Sequence, residues 1–273
     1  MKRIIVFTSS NLRHKALIKI LGNSPKLKVV DAFHEAGNIL SHLVLKKERN
    51  TLQKNHLIAR NQSEEDVFGL FLSQKGEELS TTVKRGWFSS QECLNKVKKI
   101  KPDLILVYGT SIIKGEIIKY FKNKILNVHL GLSPYYRGSG TNYFPFVNNE
   151  PEYCGATYMF LDEGIDTGKI IHQIRPNIYS VDSFHQLSNR FLIKVFKTYS
   201  LIAENFESIC IINNLERNKN TKRIFTKRSD FSEESVITLY KNFADGMIEK
   251  YLDNKEVRDS KVPLVQQNYK RNP

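Results

Sequence analysis

Three observations in the sequence predict an α/β fold: a mostly parallel sheet flanked by helices, with a small, mainly helical C-terminal region. An apolar run, Arg3-Ile-Ile-Val-Phe-Thr, passes through a polar turn into the amphipathic stretch from Ser9 to Leu21, and a second apolar run follows at Leu27 to Ala32. Strand, helix and strand in that order form a parallel βαβ unit. Further short apolar runs recur downstream with helical stretches beside them, which extends the sheet in Rossmann-like fashion. No Gly-x-Gly-x-x-Gly opens the first helix, so no dinucleotide is indicated.

The remaining elements follow in chain order. Residues 41 to 83 are polar and charged, with a helical run from Glu64 to Leu72. That is longer than a simple connection needs and reads as an insertion, with Lys46-Lys-Glu-Arg as a solvated helix face. The sheet resumes at Thr81-Thr-Val-Lys and at Leu104-Ile-Leu-Val-Tyr, with a helix from Ser90 to Lys99 between them. Asn127-Val-His, Ala156-Thr-Tyr-Met-Phe-Leu and Ile170-Ile-His-Gln-Ile are further strands; Met159 and Phe160 read as core by their alternation. Ser183-Phe-His-Gln186 has the form of a capping box, and Phe184, Leu187, Phe191, Val195 and Leu201 recur at helical spacing behind it. Beyond Ile224-Phe-Thr, one more helix starts at Ser232 and sets Val236, Leu239, Phe243, Met247 and Tyr251 on one face. Lys255 to Pro273 is polar and is expected at the periphery.

Composition narrows the function classes. With 273 residues, the chain can bury a sizeable core. Cys93, Cys154 and Cys210 are odd in number and far apart, which argues against a disulfide framework and a metal site and for a reducing cytoplasm. The first apolar run ends at Phe7, too short for a signal peptide, and no stretch approaches the length that spans a bilayer. The formal charge of +14 admits a nucleic-acid binder. However, 28 acidic residues are interleaved, and the one basic cluster is Arg217, Lys219, Lys222, Arg223, Lys227 and Arg228. A solvated face explains that cluster as well as an anionic small substrate does.

The segment most suggestive of chemistry is Asn127-Val-His-Leu-Gly-Leu-Ser-Pro-Tyr-Tyr-Arg-Gly, followed by Gly164-Ile-Asp-Thr-Gly168. Two apart on a strand, Asn127 and His129 leave the same face, and Pro134 stops the strand. An amide and an imidazole offer N–H donors for an oxyanion, and Asp166 is suited to orient the imidazole or take a proton. Each also has a bland reading: Asn127 as a turn cap, His129 as a core neighbour and Asp166 as an Asx-turn residue.

Together these residues resemble the folate-dependent formyltransferases, the family of glycinamide ribonucleotide, methionyl-tRNA and sugar N-formyltransferases, whose pattern is Asn-x-His-x-Ser-Leu-Leu-Pro with a later Asp in a Gly-containing loop. The likeness runs over residues 1 to 206 and is densest between Pro102 and Gln173, leaving 207 to 273 as a C-terminal extension. Gly131 stands where the family pattern has Ser, and Ser133 where it has Leu. The resemblance implies N10-formyltetrahydrofolate as donor, a primary amine as acceptor, and Asn127, His129 and Asp166 as catalytic residues. It also implies that Tyr108, Gly109 and Thr110, with the loop Leu161, Asp162, Glu163, Gly164 and Ile165, line the folate pocket.

On the acceptor side the resemblance puts Ser10 and Asn11 where the glycinamide ribonucleotide enzymes cradle a phosphate, with Arg13 and His14 standing in place of that turn's glycines as candidate phosphate contacts. Capping of the first helix by Ser10 or Asn11 explains two of them equally well. Tyr135 and Arg137 are expected beside the acceptor, and Tyr143 and Phe144 either stack on it or pack their loop. The favoured acceptor is a nucleotide-linked amino sugar; glycinamide ribonucleotide, water (as in formyltetrahydrofolate hydrolases) and a nucleic-acid-binding role remain as alternatives. The C-terminal region lacks the dense alternating strands of a tRNA-binding β-barrel, and the hydrolases' extra N-terminal domain finds no room before residue 3. Met247 is compatible with a homodimer interface or with packing in its own domain.

Overall fold

The computed structural model describes residues 1–36, 51–73, 80–209 and 223–267. Its first strand, β1 (Lys2–Thr8), leads into α1 (Leu12–Gly22) and β2 (Leu27–Glu35). Next come α2 (Thr51–Ser73), β3 (Thr81–Val83), α3 (Gln91–Ile100), β4 (Leu104–Val107), α4 (Glu116–Tyr120) and β5 (Ile125–His129). A short β6 (Tyr136–Gly138) and α5 (Phe144–Val147) precede β7 (Ala156–Phe160), β8 (Ile170–Ile174) and α6 (Phe184–Glu204). The last elements are β9 (Ile224–Thr226), α7 (Glu233–Ala244), α8 (Met247–Asp253) and α9 (Lys255–Ser260).

Seven strands form one sheet in the order β3-β2-β1-β4-β5-β7-β8. The first five run parallel, while β7 and β8 are antiparallel to their neighbours. Strand order reverses between β1 and β4, which opens a crevice beyond their carboxyl ends, the usual ligand position in such sheets. Alternation along each strand divides the core. Ile4, Val6, Leu104, Leu106, Leu126 and Val128 pack towards α1 and α6, whereas Ile5, Phe7, Ile105, Val107 and Ile125 pack towards α3 and α4. Burying apolar strands on both faces is what fixes their register.

The helix starts follow local chemistry. The Ser90 hydroxyl accepts from the Cys93 N–H at 3.1 Å to cap α3, and Ser183 and Gln186 form the expected capping box of α6. Where the sequence suggests a run from Glu64 to Leu72, α2 has 23 residues; it packs on α1 and α6, and β3 pairs with β2. The part of the 41–83 segment that is described therefore supplies a layer helix and an edge strand. Lys46-Lys-Glu-Arg, Cys210, Arg217, Lys219 and Lys222 lie outside the described residues.

Two C-terminal expectations are corrected. The single helix from Ser232 is broken after Ala244, because Gly246 adopts a left-handed φ of +76° that a continuing helix cannot contain. The polar tail is only partly peripheral: Val262 and Val265 are buried, Val265 exchanges backbone and side-chain hydrogen bonds with Gln173, and this run covers the open edge of β8. Met247 is 2% exposed and packs within its own chain, with Leu239, Ile248 and Tyr251 against Leu132, Tyr136 and Phe146. Among the described residues no helix is long and apolar enough to cross a membrane.

Candidate active site

A cavity of about 1050 Å³ opens at the carboxyl ends of β1, β4 and β5. Asn127 and His129 both line it, on the face of β5 opposite Leu126 and Val128, as two-residue spacing on a strand requires. Asp166 reaches the same place from the loop between β7 and β8, with its backbone in the left-handed region at φ +53°, a conformation Asp tolerates better than most residues.

His129 is buried, and both its ring nitrogens are engaged. Nδ1 lies 3.2 Å from Asp166 Oδ1, and Nε2 lies 3.0 Å from the Tyr136 carbonyl oxygen. A ring facing two oxygen acceptors is satisfied when it carries an N–H on each nitrogen. The other Asp166 oxygen accepts the Gly138 N–H at 3.2 Å. Asn127 is different: among the described residues its side-chain amide has no hydrogen-bond partner, so its two N–H donors remain available to a ligand.

Gly131 now has a physical reason. A Cβ there would stand 2.6 Å from His129 Nε2 and 2.7 Å from Thr141 Cβ, and the Thr141 hydroxyl donates to the Leu130 carbonyl in that space. Ser133, the other departure, is buried with its N–H on Thr157 Oγ1 at 3.0 Å.

One wall of the cavity is largely apolar and backbone-lined. Val107, Ile113, Leu161 and Ile165 supply the apolar part, and Tyr108, Gly109 and Thr110 pass along it. Gly109 has φ +66°, and a Cβ there would lie 2.7 Å from His14 Nε2. The Tyr108 ring itself is core, 4.9 Å from His14 and 5.2 Å from Phe196 between centroids. Gly164 joins this wall, whereas Asp162 and Glu163 are not brought to it. Asp162 turns onto its own loop, accepting the Thr167 hydroxyl at 2.8 Å and the Gly164 N–H at 3.1 Å.

The cavity also carries a surplus of basic side chains. Arg13, Arg60, Arg85, Lys227 and Arg228 line the cavity against the carboxylates Glu35 and Asp166. Glu35 is committed to the N–H groups of Gly86 and Ser111 and to the Ser111 hydroxyl. Glu64 pairs with Arg13 and with Arg60, the latter at 3.0 Å. Burial pushes the Arg60 guanidinium down to about 10, and Arg13 adds to that, so two cations share one buried carboxylate. For Glu64, burial alone would raise the carboxyl, but Arg13 and Arg60 outweigh it and hold it below the ordinary range.

Asn11 does not cap α1 through its side chain: Asn11 Oδ1 is buried and unpartnered, as are Arg13 Nε and His14 Nδ1. These three unmet polar atoms fall within one turn at the start of α1. Of the other residues expected near the acceptor, Ser10, Tyr135 and Arg137 do not line the cavity; Tyr135 packs in the C-terminal core against Tyr153. Tyr143 and Phe144 do line it. The two side chains expected to meet a phosphate, Arg13 and His14, both line the cavity, while sequence reasoning missed Arg60, His56 and His185. Arg60 lies one turn from Glu64 on α2, an (i, i+4) spacing that signals a pair but not what the pair faces. Burial pushes the thiols of Cys93 and Cys154 up, so neither is poised as a nucleophile. No cluster that could hold a metal is found among the described residues.

Comparison with known proteins adds sequence and fold relatives. The formyl transferase family model matches residues 53–201. A methionyl-tRNA formyltransferase from Finegoldia magna is 27% identical over 163 residues, which is 57% of this chain and 51% of that protein, so the chain spans about half the length of this relative. Among solved structures, a sugar N-formyltransferase from Shewanella sp is similar with a TM-score of 0.55 at 17% identity, covering 88% of this chain and 87% of that one. The formyltransferase PseJ from Anoxybacillus kamchatkensis, solved in complex with UDP-4,6-dideoxy-4-formamido-L-AltNAc and tetrahydrofolate, gives 0.51 at 18% identity over 87% of this chain and 97% of that one. At these identities the structures speak for the fold.

Proposed function

Because the chain belongs to the formyl transferase family, we propose that it transfers a formyl group from N10-formyltetrahydrofolate to the primary amine of an anionic acceptor, a nucleotide-linked amino sugar. The observation that carries this reading is the free amide of Asn127 beside the His129–Asp166 pair, in a cavity lined by apolar surface and by cations. The apolar wall fits a flat ring system with polar edges: Val107, Ile113 and Leu161 offer surface, and the backbone from Gly109 to Ser111 offers hydrogen bonds. When bound, the folate supplies an activated formyl carbonyl.

The residues of this chain do the rest. An amine held in the cavity attacks that carbonyl, and the Asn127 amide donates to the oxygen as negative charge grows on it. His129, oriented by its contacts with Asp166 and the Tyr136 carbonyl, places its ring beside the same point. Asp166, a hydrogen-bond acceptor near the reacting centre, draws the proton that the amine loses as its bond to the formyl carbon forms; the bond from that carbon to N10 breaks in turn, and N10 takes up a proton as tetrahydrofolate leaves. No side-chain nucleophile is involved.

Support for an anionic acceptor comes from the Arg13–Glu64–Arg60 cluster, which keeps a surplus positive charge beside the cavity. Tyr143 and Phe144 give the cavity an aromatic surface suited to a base. A second reading, transfer to an aminoacylated tRNA, draws on the relative from Finegoldia magna and on the +14 charge.

The test is to incubate the full chain with N10-formyltetrahydrofolate and, separately, nucleotide-linked amino sugars, glycinamide ribonucleotide and methionyl-tRNA, following tetrahydrofolate release and formylated product by mass spectrometry. Formylation of an amino sugar is the expected result. Product from tRNA alone, or from none of the panel, would overturn the choice of acceptor.

A further inference from the structure

The two members of the His129–Asp166 pair are both held by the backbone of β6, a strand only three residues long. The Tyr136 carbonyl accepts from His129 Nε2 at 3.0 Å, and the Gly138 N–H donates to Asp166 Oδ2 at 3.2 Å. Polar backbone groups of residues two apart in a strand leave the same edge, so one edge of β6 faces the pair. The other edge is occupied by β9: the Ile224 N–H donates to the Tyr135 carbonyl at 2.7 Å, and the Ser139 N–H to the Thr226 carbonyl at 2.8 Å.

β6 is therefore a ruler between β9 and the candidate catalytic pair. Its spacing from β9 is tight, because Gly138 has φ +95° and a Cβ there would collide with the Thr226 carbonyl. Thr226, 6% exposed, fastens the pairing with its side chain, its hydroxyl donating to the Ser139 carbonyl at 2.5 Å. A two-stranded ribbon of this length is marginal by itself, so each such bond weighs heavily on where β6 lies. β9 begins at Ile224, beyond the 53–201 segment that the family model matches.

We propose that Thr226 is a positioning residue for formyl transfer: through β6 it sets the Tyr136 carbonyl and the Gly138 N–H that orient His129 and Asp166. The inference rests on the formyl-transfer reading for its catalytic meaning, while its structural content can be measured without any acceptor.

The test compares Thr226→Val, which keeps the shape and removes the hydroxyl, with Thr226→Ser, which restores the hydroxyl. In ¹⁵N-labelled protein, solvent exchange of the His129 Nε2–H and of the Gly138 amide is followed by NMR, the ring signal being assigned through its loss in His129→Gln. Thr226→Val should speed both exchanges by about ten-fold, leave the Leu106 amide in the central sheet unchanged, and lower kcat with KM intact on any acceptor found; Thr226→Ser should stay within about two-fold of wild type. Unchanged exchange in Thr226→Val, or equal acceleration at Leu106, overturns the proposal. If Thr226→Val does not fold, Thr226→Ala takes its place with the same criteria. Should no acceptor be formylated, the NMR result still decides the positioning role, so the two readings fail separately.

Discussion

His129 Nδ1 lies 3.2 Å from Asp166 Oδ1, although His129 ends β5 and Asp166 lies in the loop after β7, with β6 and α5 between them in the chain. The contact turns an imidazole on a strand and a carboxylate in a loop into one charge-bearing unit. Asn127, with its amide uncommitted, stands two residues away on the same strand face. Five expectations follow from this arrangement and from the buried groups around it.

In the proposed reaction the Asn127 amide donates to the growing oxyanion, and Asn127→Ala removes those donors while leaving the walls of the cavity in place. Formyl transfer should fall by about 10²–10³ in kcat with little change in KM, measured at saturating donor. A variant that keeps wild-type kcat would remove Asn127 from the chemistry.

Asp166→Asn leaves a side chain of the same shape but withdraws the charge facing His129. Turnover should drop at least as far as in Asn127→Ala while the circular dichroism spectrum is unchanged. Equal loss of activity and helicity would point to a role in folding instead.

Gly131→Ser would restore the residue of the family pattern and still be harmful here. Its Cβ would press on His129 Nε2 and on Thr141, so denaturant unfolding should show a loss of about 1–3 kcal/mol together with impaired transfer. Wild-type stability in this variant would show that the turn yields freely.

Glu64→Gln strips the shared counter-ion from Arg13 and Arg60. Breaking such a buried group typically costs about 3–5 kcal/mol, measurable by urea unfolding at neutral pH. The sign with pH follows from its depressed carboxyl: the folded state holds the proton less tightly than the unfolded chain. The contribution is complete above the ordinary glutamate range and disappears as pH falls through the lower folded value. The gap between wild type and variant should therefore narrow in acid.

Burial pushes His56 down to about 3 and His185 to about 4; Arg60 lowers both further, and His185 adds to the lowering of His56. Both are neutral in the folded protein and take up protons near pH 6.5 when it unfolds. Stability present above that pH should be lost as pH falls from about 6.5 towards 4, by about 1–2 kcal/mol per ring over the first pH unit or so. His56→Gln should flatten the fall in Tm between pH 7 and pH 5; an unaltered slope would show that His56 stays uncharged in both states.

Much of the sheet was legible because its signals are local. The runs at Ile4, Leu104 and Tyr158 are apolar on both faces, and the Ser183–Gln186 box marks its own helix start. β6 and β9 were not legible as a pair: each has three residues, and they meet only because the chain between them folds back. Gly246 as a helix break and the burial of Val262 and Val265 were missed for a related reason, since they depend on what packs beside them.

The sequence by itself determined the chemistry on offer, an amide and an imidazole at alternate positions of one strand and a carboxylate in a glycine-flanked loop, because strand periodicity and turn propensity act between near neighbours. Only the tertiary structure decided which nitrogen of His129 meets Asp166, that Arg60 joins Arg13 around Glu64, and that Asp162 turns away from the cavity. Those outcomes depend on distances between segments far apart in the chain. Such distances are set by packing the whole core, and no short stretch of residues encodes them.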